Sequence, residues 1–138
     1  MAWLIYAFIS AFSAALTAIL AKIGVEGVPS TLATAIRTIV IAVFAWAIVA
    51  GFGEHHTIPS ISRRSLVFLI LSGLATGISW LAYFRALQLG LASRVAPIDK
   101  LSLPLTIVLA LLWLGEPIGF RVAVGVGLMS VGALLTLF

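Results

Sequence analysis

Three ionisable side chains stand inside otherwise apolar stretches of the sequence, where they could bind a charged solute. Arg37 lies early in one such stretch, and the neighbours Asp99 and Lys100 lie in another. An ionisable group in apolar surroundings is costly and usually faces the interior of a helix bundle with a partner, although a long Arg side chain can also extend toward water. Two interpretations follow. Either Arg37 and Lys100 attract an anionic or zwitterionic small molecule, or Asp99 forms a structural ion pair with Arg37 or Lys100.

A second group of side chains could stack on a ligand and form hydrogen bonds with it. Trp80 and Tyr83 are three residues apart, and Thr76 and Ser79 stand nearby. Residues three or four apart share one face of a helix, and Trp and Tyr each combine an apolar ring with a polar group. We therefore predict a pocket wall that includes Thr76, Trp80 and Tyr83. Aromatic residues near a helix end also form a belt at the membrane interface, and this alternative stays open for both aromatic residues.

The remaining residues that could do chemistry indicate neither an enzyme nor a metal protein. The sequence has no cysteine, which removes thiolate ligands and cysteine nucleophiles. Glu54, His55 and His56 are adjacent, but neighbouring histidines point in different directions and no further ligand stands near them. No nucleophile and base occur at a recognisable spacing. We expect no catalytic residues, no cofactor and no bound metal.

The composition predicts an all-α membrane protein. Hydrophobic residues make up 63% of the 138 residues and charged residues 9%, so the polar side chains that cover a water-soluble domain are missing. A bilayer core about 30 Å thick needs about 20 apolar helical residues, and helices close their own backbone hydrogen bonds. The apolar stretches predict five transmembrane helices, at about residues 3–22, 30–51, 66–87, 92–114 and 119–138.

The fourth predicted helix contains both prolines and charges. Its uncharged run is too short to span a bilayer unless the helix extends backwards through Lys100 and Asp99 to about Ala92. Pro97 lacks an amide hydrogen and crowds the preceding turn, so we expect a kink there, with Pro104 as the site of a second. The alternative is a helix that begins at Pro97, with Asp99 in its first turn.

Small residues recur at helical spacing within the predicted spans. Ser10, Ala14 and Ala18 stand in the first span, Gly73 and Gly77 stand in the third, and Gly125 and Gly132 stand in the fifth. Small residues allow two membrane helices to approach closely, so we expect these glycines to lie at contacts between helices.

One continuous region of the chain carries an ordered set of motifs. Tyr83-Phe-Arg-Ala-Leu stands near the end of the third predicted helix, Pro97 lies inside the fourth, and Leu114-Gly-Glu-Pro117 closes the fourth. This set resembles the EamA-type domain of the drug/metabolite transporter superfamily. Arg37 early in the second helix and a Gly-rich fifth helix extend the resemblance over residues 1–138, which we interpret as a single domain.

The resemblance implies both a fold and a function. The fold is half of a ten-helix inverted-repeat transporter, and the location is the cell (inner or plasma) membrane, which the chain crosses several times. The function is that of a secondary transporter that exports small metabolites or drugs by alternating access. The Asp99-Lys100 pair departs from the apolar pattern usual in two-domain members, so their substrates are not transferred to this chain.

The distribution of basic residues bears on orientation and partners. Eight Lys and Arg residues outnumber four Asp and Glu residues, but they stand apart and form no stripe that could follow a nucleic-acid backbone. If alternate connections lie on opposite sides of the membrane, each side holds three basic residues: Arg63, Arg64 and Arg121 on one, and Lys22, Arg85 and Arg94 on the other. Balanced charges are weak orientation signals, so we expect the chain to insert both ways.

An odd number of membrane crossings also bears on how two copies of the chain would assemble. Two copies of an odd-span unit that insert in opposite orientations are inverted relative to one another, and inverted units can form an alternating-access pathway. We therefore expect an antiparallel homodimer whose other partners are the lipid bilayer and a small-molecule solute. The alternatives are one fixed orientation, and a non-transporting membrane subunit that joins another helix bundle.

Overall fold

The structure is a computed structural model that describes residues 2–138, and each regular element in this range is a helix. In chain order the elements are α1 (Ala2–Gly24), α2 (Ser30–Gly51), a short 3₁₀ helix (Glu54–Ser60), α3 (Arg63–Leu89), α4 (Ala92–Asp99), α5 (Ser102–Leu109), a π-helical turn (Ala110–Leu114) and α6 (Phe120–Leu135). The all-α prediction is confirmed for this part of the chain.

Four helical stretches are long and apolar enough to cross a bilayer. They are α1, α2, α3 and the stretch Ala92–Leu114 that joins α4, α5 and the π-helical turn, with 23, 22, 27 and 23 residues. Helix α6 has 16 residues, which is about 24 Å at 1.5 Å per residue and shorter than a hydrocarbon core of about 30 Å. The structure thus has four clear membrane-span candidates and one shorter apolar helix.

Local sequence signals begin and end these helices. The Ser62 hydroxyl accepts a hydrogen bond from the backbone N–H of Ser65 at 3.0 Å, which satisfies one of the unpaired donors in the first turn of α3. Gly53 follows α2 with φ 70°, and Gly115 follows the π-helical turn with φ 67°. Both glycines adopt the left-handed conformation that other residues reach only at a cost, and they therefore end the helices before them.

The stretch Ala92–Leu114 is interrupted between its two prolines. Helix α4 begins at Ala92, not at Pro97, and the helix breaks after Asp99 before α5 begins at Ser102. Pro104 has no N–H for the Lys100 carbonyl, and that carbonyl instead accepts from the N–H of Leu103 at 3.0 Å. The break therefore lies four residues before Pro104, where the proline ring would crowd a continuous helix.

Contacts divide the chain into two compact units. The central unit is Leu20–Gln88, and its most deeply buried side chains include Val25 and Leu87. The terminal unit joins the chain up to Ile19 with Leu89–Phe138, and within it α6 packs against α4 and α5. Few apolar side chains are buried in either unit, and most of the large ones are exposed along every long helix. This is the surface expected of helices whose solvent is lipid.

The glycines at helical spacing in the third and fifth predicted spans make no close contacts inside their own units. In the central unit, a Cβ atom added at Gly73 or Gly77 would meet no atom within 4 Å. The same holds in the terminal unit for Gly125 and Gly132. The expectation that these glycines lie at contacts between helices is therefore not met within either unit.

Candidate functional site

The side chain of Arg37 lies over an aromatic ring of the central unit. Arg37 stands on α2, and its Cζ atom is 3.3 Å from the centroid of the Trp80 ring on α3. The same carbon is 5.5 Å from the centroid of Phe84, one helical turn further along α3. Residues four apart share a helix face, so α3 presents two rings to one guanidinium. A cation over an aromatic face is attracted by the electron density of the ring.

The guanidinium is held by this ring contact and not by a full set of hydrogen bonds. Arg37 is half-buried, and its Nη1 atom is buried with no hydrogen-bond partner among residues 2–138. A buried donor without an acceptor costs about 1–3 kcal/mol. The ring stabilises the charge but leaves this N–H without an acceptor, so the site can still gain from a ligand that accepts hydrogen bonds.

The aromatic side chains of α3 form a cluster around Trp80. The ring centroids of Trp80 and Tyr83 are 5.9 Å apart at an interplanar angle of 83°, and those of Trp80 and Phe84 are 5.5 Å apart at 82°. Both are edge-to-face contacts, which aromatic rings favour. The structure thus brings together the predicted residues Arg37, Trp80 and Tyr83. It adds Phe84, which the sequence analysis missed although its spacing of four from Trp80 marks the same helix face.

Thr76 lies one turn before Trp80 on α3. Its hydroxyl donates a hydrogen bond to the Ser72 carbonyl at 2.9 Å, and the side chain is exposed. This bond within the helix uses the hydroxyl hydrogen and leaves the oxygen as an acceptor. Its role in the predicted pocket wall stays a prediction.

Asp99 and Lys100 lie in the terminal unit, at the break between α4 and α5. The Lys100 Nζ atom is 3.4 Å from the Asp99 Oδ2 atom, and their side chains are 53% and 36% exposed. This is one of the two ion pairs that the sequence allowed. An exposed ion pair contributes little to stability, so packing alone does not explain why two charges stand at this break.

A set of hydrogen bonds ties the end of α3 to the connection between α1 and α2. Gln88 Nε2 donates to the carbonyl of Val28 at 2.6 Å and to that of Val25 at 3.3 Å. Lys22 Nζ donates to the carbonyl of Leu87, where the end of α3 favours a cation. Arg85 Nη1 donates to Gln88 Oε1 at 3.2 Å. In the sequence, Lys22 and Arg85 are recognisable only as orientation signals, and this contact is not predicted because it joins residues far apart in the chain.

No metal-binding cluster forms in the part of the chain that the structure describes. Among residues 2–138, no three His, Cys, Asp or Glu side chains come together as ligands would. The rings of His55 and His56 are 3.9 Å apart and tilted by 43°. Two neighbouring imidazoles without a third ligand do not make a structural metal site.

Comparison with known proteins agrees with the resemblance seen in the motifs. The EamA-like transporter family matches residues 1–138. A relative from a Sinorhizobium species, named "Uncharacterized transporter in cobO 3'region", is 50% identical over 133 residues, which cover 96% of this chain and 94% of the relative. No solved structure matches the chain. Family and relative both point to a transporter and not to an enzyme. The family match over residues 1–138 and the 50% identity to the Sinorhizobium relative establish that this chain belongs to the EamA-like transporter family.

Proposed function

We propose that this protein exports small metabolites or drugs as a secondary transporter, by alternating access between two antiparallel copies. Membership of a transporter family supports movement of a small molecule across lipid. The apolar helices support a multi-pass location, and we assign it to the cell (inner or plasma) membrane. Residues 1–138 act as one transport domain in this proposal.

The observation on which the proposal depends is the set of contacts that the Arg37 guanidinium makes and lacks. This guanidinium belongs to the apolar helix α2 and lies over the Trp80 ring, and its buried Nη1 atom has no hydrogen-bond partner in the described part of the chain. A cation inside a membrane span is costly and usually marks a pathway for solutes or ions. We therefore assign the solute site to Arg37, Thr76, Trp80 and Tyr83. Their charge and rings suit an anionic or zwitterionic molecule with an apolar part.

The pair Asp99 and Lys100 is assigned to the pathway as a second set of charged groups. The pair lies at a helix break, and breaks in membrane helices occur where the backbone lines a cavity or is buried in protein. Membrane transporters often place substrate and coupling-ion sites at interrupted helices. Asp99 is the acid best placed in these spans to carry a coupled proton, because the other acids stand in connections.

The number of helices supports two copies. Four long helices and the shorter α6 make an odd set if α6 also crosses the membrane. An odd number of crossings places the two ends of the chain on opposite sides of the membrane. Two copies inserted in opposite orientations are then inverted repeats of one another. Three basic residues on either side give no strong preference for one orientation. A short α6 crosses more readily where a partner covers it, since mismatch can be relieved by association.

The open glycine faces also support a second copy. Gly73, Gly77, Gly125 and Gly132 have room for a Cβ atom within their own units. In lipid, small residues favour association by letting two backbones approach. A partner helix packed on one of these faces would give the glycines the contact that they lack in one unit.

The purified protein in liposomes tests the proposal. Proteoliposomes loaded with radiolabelled alanine, benzoate or choline offer a zwitterion, an anion and a cation, and efflux is compared with empty liposomes. We expect efflux of the zwitterion or the anion, and loss of that efflux in Arg37→Ala at unchanged protein incorporation. Unchanged efflux in Arg37→Ala would reject Arg37 as the solute site.

The second candidate is a non-transporting membrane subunit that partners another helix bundle. The observation that favours it is the number of helices, because the described residues form four membrane-span candidates and one shorter apolar helix, fewer than the ten helices of a two-domain transporter. Such a subunit should insert in one orientation and should need its partner to be stable. Purified chain that is active alone and has its C-terminus on both sides of the membrane would exclude this candidate.

A further inference from the structure

The guanidinium of Arg37 has two chemically different surfaces, and the central unit uses only one of them. Its carbon lies 3.3 Å from the Trp80 ring centroid, so the face of the guanidinium covers the ring. The N–H groups lie along the edge, and the buried Nη1 atom has no acceptor among residues 2–138. A guanidinium that rests on a ring by its face thus keeps an edge that can turn away from the ring toward an anion.

We infer that Arg37 binds the carboxylate of a monoanionic or zwitterionic solute through this edge, while the rings of Trp80 and Tyr83, packed against the buried Phe84, hold the apolar body of the solute. This inference rests on the proposed transport function and names the class of molecule that the site takes. The Trp80 face is the resting place of the guanidinium when no solute is bound. A carboxylate replaces this weaker contact with two charge-assisted hydrogen bonds.

A carboxylate fits this site better than a phosphate. One guanidinium carries one positive charge and presents two parallel N–H groups, which match the two oxygens of one carboxylate. A phosphate dianion would leave an excess negative charge inside an apolar span, where charges are costly. The surrounding side chains are rings, with centroids 5.5 Å to 6.4 Å apart. They offer mainly apolar surface, with the Trp80 N–H and the Tyr83 hydroxyl as their polar groups, and they carry no positive charge for a second anionic group.

The fluorescence of Trp80 reports directly whether the guanidinium leaves the indole ring when a carboxylate binds. The other tryptophans, Trp3, Trp46 and Trp113, are exposed, so changing all three to Phe leaves Trp80 as the single indole with little disturbance. This variant is titrated in nanodiscs with cyclohexanecarboxylate and, separately, with cyclohexanecarboxamide. The two probes share size and shape, do not absorb near the indole band, and differ in charge.

We expect cyclohexanecarboxylate to shift the Trp80 emission in a saturable way and the amide to bind at least about tenfold more weakly. In Arg37→Gln the two probes should become equal. Arg37→Lys keeps the charge but loses the paired N–H groups, so the carboxylate should bind about tenfold more weakly than to the parent. Equal responses to both probes in the parent, or an undiminished carboxylate response in Arg37→Gln, would overturn the inference.

The outcomes separate this inference from the proposed transport function. Saturable carboxylate binding without any efflux from liposomes supports the binding site and contradicts the transport proposal. Efflux of a labelled solute with no carboxylate response at Trp80 supports transport and overturns this inference. The comparison of the two probes on the parent uses no Arg37 variant, so a folding defect in such a variant does not affect it.

Discussion

The Cζ atom of Arg37 lies 3.3 Å from the centroid of the Trp80 ring and so joins α2 to α3 across the central unit. The contact holds a charge inside an apolar span, and no carboxylate of residues 2–138 forms an ion pair with it. A cation over an indole contributes about 0.5–2 kcal/mol, and the larger values occur where water is excluded. The same contact bears on both the stability of the unit and the proposed site, and the two effects can be measured apart.

Replacement of Trp80 by Leu should destabilise the protein by about 1–3 kcal/mol, since it removes the ring beneath the guanidinium and two edge-to-face contacts. The free energy of unfolding is measured in mixed micelles by SDS titration. Trp113→Leu is the matched control, because Trp113 is 80% exposed and should change the value by no more than about 0.5 kcal/mol. Equal losses in the two variants would show that the Arg37–Trp80 contact contributes nothing.

Replacement of Gln88 by Met should cost about 1–3 kcal/mol of stability. Methionine has similar length but no donor, so the Val28 carbonyl loses the bond from Gln88, and the Val25 carbonyl keeps only the bond from the Val28 N–H at 3.4 Å. The same unfolding titration measures the loss. Arg85→Met is the control, because this exposed side chain donates one hydrogen bond to Gln88 and its loss should cost about 0.5 kcal/mol or less. A Gln88 variant as stable as the Arg85 variant would contradict a structural role for these bonds.

Replacement of Asp99 by Asn should separate function from stability. The ion pair with Lys100 is partly exposed, so its loss should change the free energy of unfolding by about 1 kcal/mol or less. If Asp99 lies in the pathway, efflux from liposomes should fall by about tenfold or more, as it should in Arg37→Ala, at normal membrane insertion. Glu54→Gln changes an acid in the 3₁₀ helix and should leave efflux intact. Parent-like efflux in Asp99→Asn removes this residue from the pathway.

The stability of the turn after the π-helical segment should depend more strongly on glycine at position 115 than on glycine at position 119. Gly115 has φ 67°, and an alanine there would cost about 1 kcal/mol. Gly119 has φ −70° and open space around it, so Gly119→Ala meets no dihedral strain and should cost about 0.5 kcal/mol, from the preference for glycine over alanine at the start of α6. Unfolding titrations of the two alanine variants test this difference. A neutral Gly115→Ala variant would mean that the turn relaxes out of the left-handed conformation.

Orientation should respond to charge at the start of α3. Arg63→Ala with Arg64→Ala leaves Arg121 against Lys22, Arg85 and Arg94. Because the side richer in Lys and Arg stays in the cytoplasm, the C-terminus should move to that side if the chain crosses five times. A C-terminal fluorescent reporter should gain signal, and a C-terminal phosphatase should lose it. The opposite pair of changes, Arg85→Ala with Arg94→Ala, should shift both signals the other way. Signals that ignore both pairs would contradict a chain with balanced orientation.

Much of the architecture can be read from the sequence because membrane helices are determined locally. A run of apolar residues fixes where the backbone must close its own hydrogen bonds, and Ser62, Gly53 and Gly115 set helix ends through contacts or dihedral angles within a few residues. The sequence also predicts the helical region that begins at Ala92, but it predicts kinks at Pro97 and Pro104 themselves. The break lies between them, because Pro104 deprives a carbonyl four residues earlier of its donor.

Identification of the candidate site required both the sequence and the tertiary structure. Residue types alone marked Arg37, Trp80 and Asp99, since a charge or an indole in an apolar span needs a reason. The sequence left the partner of Asp99 open, and the structure pairs it with Lys100. Only the tertiary structure placed Arg37 over Trp80, added Phe84, and joined Gln88 to the connection between α1 and α2. These contacts depend on how separate helices rotate and pack, and hydrophobic periodicity does not specify that rotation when lipid accepts any apolar face.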